Sequence, residues 1–276
     1  MTYSSVMTHV QPEPEAAPRL DCAVDVARRF GARLIGVSAE MIPPLAFDNG
    51  SYTVDAEWAI AMRKSIEDQL RVAKEAFKRA TAALADDAVW LCGIESPTPA
   101  IAAASRAADL IVLGGVPRRH DSPYRDCDPA EMAMLAGRPV LVAPPAGPLL
   151  SGKRIVVAWK DSREARRALS DSIPFLEAAE AVLVLEVCDG DGQDDARIRT
   201  GDVVAALRRR KVAAEAKVTL HAHAAASQQI LEEVVAFGSD LIVLGCYGHS
   251  RLGEWVFGGV TRDLLSQDDV YLLLSH

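Results

Sequence analysis

The chain lacks most of the features that would assign its 276 residues to a specialised class of protein. No apolar run approaches the roughly 18 residues of a transmembrane helix, and the N-terminus lacks the charged-then-apolar pattern of a secretory signal. Basic residues are not in excess, because the formal net charge is −8, which argues against a general nucleic-acid or anionic-membrane surface. We therefore expect a cytoplasmic protein that binds neither nucleic acid nor membrane.

Catalytic and metal-binding motifs are also scarce. The five cysteines are scattered and form no CxxC pair, so they fit reduced, packed thiols better than a disulfide framework. His221 and His223 share one face of a predicted strand, but no third ligand stands at a suggestive spacing. The chain has no G-x4-GK[ST] motif and no kinase signature. We expect no catalytic residues, no metal ligands and no dedicated enzyme activity.

The most informative segment of the chain is 240–262. A short apolar strand, Asp240-Leu-Ile-Val-Leu-Gly245, leads into a glycine-spaced loop and then a predicted helix start near Val260. Glycine lets the backbone turn and lets a ligand approach the main chain, and free amides at a helix start favour an anion. The segment predicts a phosphate-binding loop, with glycines at Gly245, Gly248, Gly258 and Gly259.

The strand of this segment occurs twice. Asp109-Leu-Ile-Val-Leu-Gly114 is identical to Asp240-Leu-Ile-Val-Leu-Gly245, and an apolar strand follows each copy about 25 residues later. Between the copies, the run Pro144-Pro-Ala-Gly-Pro148 cannot sustain helix or strand. The repeat predicts two related domains, 1–146 and 151–276.

Both halves alternate strands with helices. In the second half the predicted strands are 154–159, 182–187, 217–221, 240–244 and 271–275, with a helix opened by a capping box at Asp161-Ser-Arg-Glu164 and kinked at Pro174. The first half follows the same plan, with a long helix whose apolar stripe runs from Ile66 to Leu84. This alternation predicts an α/β protein with two tandem doubly wound, Rossmann-like parallel sheets.

The motif Gly245-x2-Gly248-x9-Gly258, in a domain of this βα order, resembles the universal stress protein family. His249-Ser-Arg-Leu and Gly259-Val-Thr261 also resemble family sequences, and the resemblance covers both halves as a tandem-domain member. It implies a strand order of 3-2-1-4-5 and a site for ATP at the carboxyl edge of the sheet, where this fold class binds ligands. The resemblance leaves open whether the nucleotide is ATP, ADP or AMP and whether Mg²⁺ accompanies it.

The resemblance implies a set of nucleotide contacts. Two positions depart from the family pattern, which has an Asp where this chain has Lys160 and a Ser or Thr where it has Gly259. Each loss corresponds to one hydrogen bond of roughly 0.5–1.5 kcal/mol, so we expect weakened binding rather than none. The implied contacts are Ala158, Lys160, Asp161, Val187, Gly245, Gly248, His249, Gly258, Gly259, Val260 and Thr261.

The loop of the first half is degenerate at matched positions. Pro117 stands where the second half has Gly248, and Asp128 stands where it has Gly259. Proline removes a backbone donor, and a carboxylate repels phosphate. Asp128-Pro129 fits a helix N-cap followed by proline at the first helical position. We expect no nucleotide in the first half, which would instead act as an internal pseudo-dimer partner through the fifth strands, 139–143 and 271–275. A homodimer of whole chains stays open.

Several residues keep two interpretations. The glycines could shape only a βα turn, and His249 and Lys160 could contact phosphate or solvent. Asp161 could cap a helix or contact adenine, and Cys246 could be a packed thiol or an oxidant sensor. The favoured function is a stress-response regulatory protein that binds an adenine nucleotide in its second half. The alternative is a ligand-free protein-interaction module with a vestigial loop.

Overall fold

The computed structural model describes residues 2–43, 56–115, 124–220, 225–246 and 259–276. Strands and helices alternate through both halves, as the apolar runs and amphipathic stripes predict. The strands are β1 Ser5–His9, β2 Arg33–Ala39, β3 Ala88–Gly93, β4 Leu110–Gly114, β5 Val140–Ala143, β6 Arg154–Ala158, β7 Ala181–Cys188, β8 Ala214–Leu220, β9 Leu241–Gly245 and β10 Tyr271–Ser275. The α-helices are α1 Ala17–Phe30, α2 Ala56–Ala80, α3 Pro97–Ala104, α4 Pro129–Ala136, α5 Arg163–Asp171, α6 Ile173–Ala178, α7 Gln193–Arg209, α8 Ala226–Phe237 and α9 Gly259–Leu265.

All ten strands form one sheet, in the order β3-β2-β1-β4-β5-β10-β9-β6-β7-β8. Within each half the strands are parallel and follow the predicted order 3-2-1-4-5. The two fifth strands, β5 and β10, pair antiparallel, with Leu273 opposite Leu141. The predicted doubly wound α/β class is therefore confirmed, and the strands that were expected to meet do so.

The core consists of two apolar layers, one on each face of the sheet. One layer lies under α1, α2, α5, α6 and α7, and the other lies under α3, α4, α8 and α9. The central strands are apolar along their whole length because both of their faces are covered. None of the described helices is long and apolar enough to cross a membrane.

The first residue of the repeated segment, an aspartate, has the same structural role in both halves. The carboxylate of Asp109 accepts hydrogen bonds from the amides of Ser4 and Ser5, at 2.8 and 3.1 Å. The carboxylate of Asp240 accepts from the amides of Ser151 and Gly152, at 2.6 and 3.1 Å. Each aspartate thus holds the chain that enters the first strand of its half, because buried amides need an acceptor.

The halves also meet through an aromatic cluster next to the β5–β10 pair. The ring centroid of Tyr3 lies 5.1 Å from that of Phe30 and 5.6 Å from that of Phe175, and the hydroxyl of Tyr3 donates to the carbonyl of Asp171 at 2.6 Å. Phe175 and Tyr3 are almost fully buried. Two halves of one chain therefore share a packed, apolar contact.

Three sequence predictions differ from the structure. Strand β3, at the edge of the sheet, and helix α3, which is rich in Ala and Pro and has no clear apolar stripe, were not predicted. The expected kink at Pro174 is a break, since α5 ends at Asp171 and Pro174 lies in the first turn of a new helix. The third strand of the second half begins at Ala214, three residues before the predicted start.

Candidate functional site

The strand order brings several predicted site residues to one place. It reverses between β6 and β9, and open α/β sheets bind ligands outside the carboxyl ends of strands at such a point. Ala158, the last residue of β6, pairs with Leu244, so it lies beside Gly245 at the end of β9. The two predicted contacts from β6 and β9 are neighbours.

Three predicted contacts share the face of the sheet that α8 and α9 cover. Ala158 at the end of β6, Val187 near the end of β7 and Val260 in α9 are half-buried, and all three pack against the same core cluster. They come from elements far apart in sequence. Their apolar side chains thus lie on one face of the sheet, and an apolar surface suits the flat face of a nucleobase.

The close neighbour of Gly245 is a helix of the chain itself. A Cβ atom on Gly245 would lie 2.4 Å from the amide nitrogen of Ala165 and 2.4 Å from the carbonyl carbon of Glu164. Glycine is therefore required here because the backbone at the start of α5 packs directly on the strand end. Gly245 was predicted to let a ligand approach the main chain closely. Among the described residues, the group that approaches it is the backbone of α5. A nucleotide contact of Gly245 stays a prediction.

The start of α5 corrects the predicted capping box. Ser162, not Asp161, is the N-cap residue, and its hydroxyl accepts from the amide of Ala165 at 3.2 Å. Asp161 lies one residue outside the helix, where its carboxylate pairs with Arg166 at 2.5 Å on the surface. Both candidate caps are short polar residues, and only the helix start decides between them. The prediction that Asp161 caps this helix was therefore wrong.

Lys160 is exposed immediately after β6, next to the carboxyl edge. No described residue forms an ion pair with its ammonium group. Asp161, the adjacent acid, is paired elsewhere. Lys160 is thus a cation without a described partner, and its contact with a phosphate stays a prediction.

The loop itself is described only in part. Gly248, His249 and Gly258 lie outside the described residues, as do His221 and His223. Gly259 is the first residue of α9, and a Cβ atom there would meet no atom of the described residues within 4 Å. Thr261 is buried in the first turn of the same helix. A hydroxyl-bearing side chain at position 259 would therefore have room.

Cys246 is a packed thiol. It is fully buried, its amide donates to the carbonyl of Ser275 at 2.9 Å, and its sulfur contacts the same oxygen at 3.3 Å. Burial raises the pKa of the Cys246 thiol to about 12. Because the thiolate is the reactive form, the structure favours the packed interpretation over oxidant sensing.

Sequence reasoning missed a set of buried polar atoms around the same edge. They belong to residues at strand ends or helix starts of the second half, and none has a hydrogen-bond partner among the described residues. A buried polar atom without a partner costs about 1–3 kcal/mol, so a polar ligand or water would stabilise them. The atoms are Trp159 Nε1, Glu164 Oε2, Glu186 Oε2, Thr219 Oγ1, Gln229 Oε1 and Ser275 Oγ.

Glu164 and Glu186 are the acids of this set. Glu186 is buried and pairs with Arg199 at 2.6 Å through its other oxygen. Burial acts to raise the pKa of Glu164, but its own amide, the Ser162 hydroxyl and Arg163 together hold that pKa below its usual range. An acid inside the apolar run of β7 was the available sequence signal for Glu186. Glu164 gave no such signal, because its burial depends on how α5 meets β9.

In the first half, charged side chains fill the corresponding edge. His9 ends β1 at the place of Ala158, and Arg19 from α1 lies over the end of β4, with Nη1 3.0 Å from where a Cβ of Gly114 would be. Arg19 donates to Gln11 at 2.9 Å. Burial, aided by the nearby Arg19, lowers the pKa of His9 well below its ordinary value, so the ring is neutral.

Arg125 completes this internal network. Its guanidinium pairs with Glu40 at 2.6 Å and with Glu13 at 2.8 Å, and it donates to Gln69. The backbone carbonyl of Arg125 accepts from Gln11 at 3.0 Å. The charge of Arg125 is therefore matched by carboxylates of the first half, which leaves this cation less free for an anionic ligand.

The predicted helix cap of the first half is confirmed. Asp128 is the N-cap of α4, its carboxylate accepts from the amides of Ala130 and Glu131 at 2.7 and 3.3 Å, and Pro129 follows in the first turn. The matched position of the second half is Gly259, where no described atom would lie within 4 Å of a Cβ. The first half thus satisfies its own helix start with a carboxylate.

Comparison with known proteins agrees with this geometry. Residues 152–274 match the family model of the Universal stress protein family. Residues 152–274 therefore form a domain of this family. The matched range begins just before β6 and ends within β10, so it includes every strand of the second half. No curated protein matches the chain.

Solved structures resemble the whole chain in fold, across both halves. A universal stress protein from Archaeoglobus fulgidus DSM 4304 has 16% identity and a TM-score of 0.67, covering 99% of this chain and 96% of that one. A putative universal stress protein from Pseudomonas aeruginosa UCBPP-PA14 has 14% identity and a TM-score of 0.58, covering 99% and 93%. A functionally unknown protein from Pseudomonas aeruginosa PAO1 has 13% identity and a TM-score of 0.58, covering 99% and 92%.

Proposed function

We propose that this chain is a stress-response regulator that binds ATP, or the related nucleotides ADP or AMP, at the carboxyl edge of its second half and has no dedicated catalytic activity. The base would lie against the apolar side chains of Ala158, Val187 and Val260, and the phosphates would lie at the glycine-spaced loop. Mg²⁺ would accompany the phosphates.

One observation carries the proposal. The second half ends β6 with the small Ala158 at the edge where the family motif falls, whereas the first half has His9 at the matched place and holds Arg19 over Gly114. Buried polar atoms without described partners lie near the edge in both halves. Among the described residues, no atom would lie within 4 Å of a Cβ on Gly259 and none pairs with the cation of Lys160, which supports an anionic ligand at the same edge. Main-chain amides of a glycine-rich loop need no excess of basic residues, which agrees with the acidic net charge.

The first half would serve as a built-in partner. Its strand β5 pairs with β10, so the last strand of the nucleotide-binding half is covered by the same chain. This arrangement supports a pseudo-dimer of one working and one degenerate domain, with boundaries at 1–146 and 151–276.

Isothermal titration calorimetry with ATP, ADP and AMP, with and without Mg²⁺, tests the proposal. Gly248→Asp should abolish binding, because a carboxylate in the loop would repel the phosphates. The matched control is Pro117→Asp, at the corresponding position of the first half, which should bind as the unmodified chain does. Absence of heat with every nucleotide would reject the proposal.

The alternative is a ligand-free interaction module with a vestigial loop. The observation that favours it is the packing of α5 on Gly245, which gives that glycine a purely structural reason. Chromatography of the heat-released contents of freshly purified protein separates the two functions. Adenine absorbance at a stoichiometric level supports the regulator, and its absence together with a silent titration supports the module.

Slow hydrolysis of ATP is a separate question. Thr261 offers one hydroxyl, but Asp240 lies at the opposite end of β9 and is engaged by backbone amides. Phosphoryl transfer also needs groups that position the nucleophile and neutralise charge. Turnover that disappears in Thr261→Ala would contradict the absence of catalysis.

A further inference from the structure

The ten-stranded sheet has two outer edges, and they differ in how they are protected. Strand β8 forms one edge and strand β3 forms the other. An edge strand exposes unpaired amides and carbonyls that can pair with another strand, so proteins usually block it with charges or caps. The two edges therefore differ in whether another strand can pair with them.

Strand β8 is blocked at both ends. The carbonyl of Ala213 accepts from Val182 of the neighbouring strand, so the next carbonyl, that of Ala214, points outward. Nε of Arg208 donates a hydrogen bond to the carbonyl of Ala214 at 3.0 Å. The carbonyl of Leu220, six residues later and pointing the same way, accepts from Gln229 at 2.9 Å. Strand β8 also carries exposed charges at Glu215 and Lys217.

Strand β3 has none of these devices. Its sequence, Ala88-Val-Trp-Leu-Cys-Gly93, contains no charge and no proline. The carbonyl of Gly93 accepts from Glu40, so it points toward β2, and by alternation the outward groups belong to Ala88, Trp90 and Cys92. No described residue pairs with those outward groups. Leu91 is 43% exposed and Cys92 is exposed beside it.

We propose that β3 is the surface through which two copies of this chain associate, as antiparallel strands related by a twofold axis at Trp90. This register places Trp90 opposite Trp90 of the partner subunit and Ala88 opposite Cys92 of the partner subunit, so all three outward residues pair. Val89 then faces Leu91 of the partner subunit. Every opposing pair is uncharged, and no like charges meet.

A second copy fits this edge better than another partner for two reasons. The strand is self-complementary in the stated register, which a closed twofold dimer requires of its contact surface. Pairing of β3 with β8 of another copy would build an open filament, and Arg208 and Gln229 block that edge. The chain already joins two strands antiparallel at β5 and β10, where the residues are likewise apolar.

Sedimentation equilibrium of the full chain over a range of concentrations tests the proposal. Cys92→Pro removes an outward amide while leaving the pairing with β2 intact, because that amide points away from β2. We expect a reversible dimer whose association constant falls at least tenfold in this variant. The matched control is Ala216→Pro on β8, which also removes an outward amide and should leave the association constant unchanged.

A second variant guards against misfolding. Leu91→Lys places like charges near each other across the twofold and should also weaken the dimer at least tenfold, with the circular dichroism spectrum of the unmodified protein. The register is tested by Ala88→Cys in a Cys188→Ser background, where oxidation should link Ala88→Cys to Cys92 of the partner subunit. Val89→Cys, which faces the other side of the sheet, should not cross-link. A monomer at all concentrations, or a dimer that both β3 variants leave intact, would overturn the proposal.

Discussion

The two halves of this chain share a strand order and an identical six-residue segment, yet their carboxyl edges are built differently. The first half fills that edge with His9, Arg19 and Arg125, and it pairs Arg125 with Glu13 and Glu40. The second half ends β6 with Ala158 at the place of His9, and no described atom would lie within 4 Å of a Cβ on Gly259. The same fold can therefore close its edge or keep it available, by changing side chains alone.

The identical glycines of the repeat give the largest expected contrast. Gly245→Ala would push a Cβ against the backbone of Glu164 and Ala165, whereas Gly114→Ala would meet only the flexible end of Arg19. We expect losses of about 3 kcal/mol and about 1 kcal/mol in the free energy of unfolding. Urea unfolding of the full chain measures both. Equal losses would show that the two glycines share one role.

The two halves should differ in how their stability depends on pH. The first half buries His9, and the second half has Ala158 at the matched position. In the unfolded chain this histidine protonates near pH 6.5, whereas burial keeps the folded ring neutral. Stability should therefore fall as the pH falls below about 6.5, by roughly 2 kcal/mol at pH 5. Comparison of unfolding at pH 7 and pH 5 with His9→Gln isolates this contribution. An equal pH-dependent loss in the variant would assign it to other groups.

The helix cap of the first half gives a smaller effect. Asp128→Ala removes the acceptor of two amides at the start of α4 and should cost about 1 kcal/mol. Asp128→Asn is the matched control, because its amide oxygen can still accept, and it should lose less. Thermal unfolding measures the loss of stability in both variants. Equal losses would assign the stabilising effect of Asp128 to its charge rather than to its hydrogen bonds.

The smallest expected change strengthens the second half. Gly259→Ser supplies the hydroxyl that the family pattern has at this position, and no described neighbour lies within 4 Å to oppose it. We expect about threefold tighter nucleotide binding by calorimetry, because a single hydrogen bond contributes roughly 0.5–1.5 kcal/mol before the side chain is ordered. Gly259→Ala is the control and should leave the affinity unchanged. Weaker binding by the serine variant would contradict a phosphate contact at position 259.

Much of the fold follows from local patterns in the sequence. Short apolar runs predicted the strands at the centre of the sheet, and the repeat predicted two halves of one plan. Strand β3 was not predicted although its sequence is an apolar run like those of β4 and β9, and its position at the edge of the sheet leaves it only partly buried. The start of α5 was misplaced by one residue because Asp161 and Ser162 are equally suitable caps in sequence terms.

The site divides in the same way. The family resemblance predicted contacts at Ala158, Val187 and Val260, and the strand order places Ala158 beside Gly245. The phosphate-binding loop between Gly245 and Gly259 stays a prediction. The sequence alone could not show that α5 rests on Gly245, that Glu164 and Glu186 are buried, or that Arg125 is paired within the first half. Those facts depend on contacts between residues that are distant in the chain.

The amino-acid sequence by itself determined two α/β halves, their shared strand and the position of the glycine loop, because apolar periodicity and backbone freedom are local properties. The tertiary structure decided what lies against each identical glycine, a helix backbone at Gly245 and an arginine side chain at Gly114. It also decided that Arg208 and Gln229 cap β8, whereas no residue in the described ranges caps β3. The physical reason is that burial and pairing are set by long-range contacts, which identical local segments do not specify.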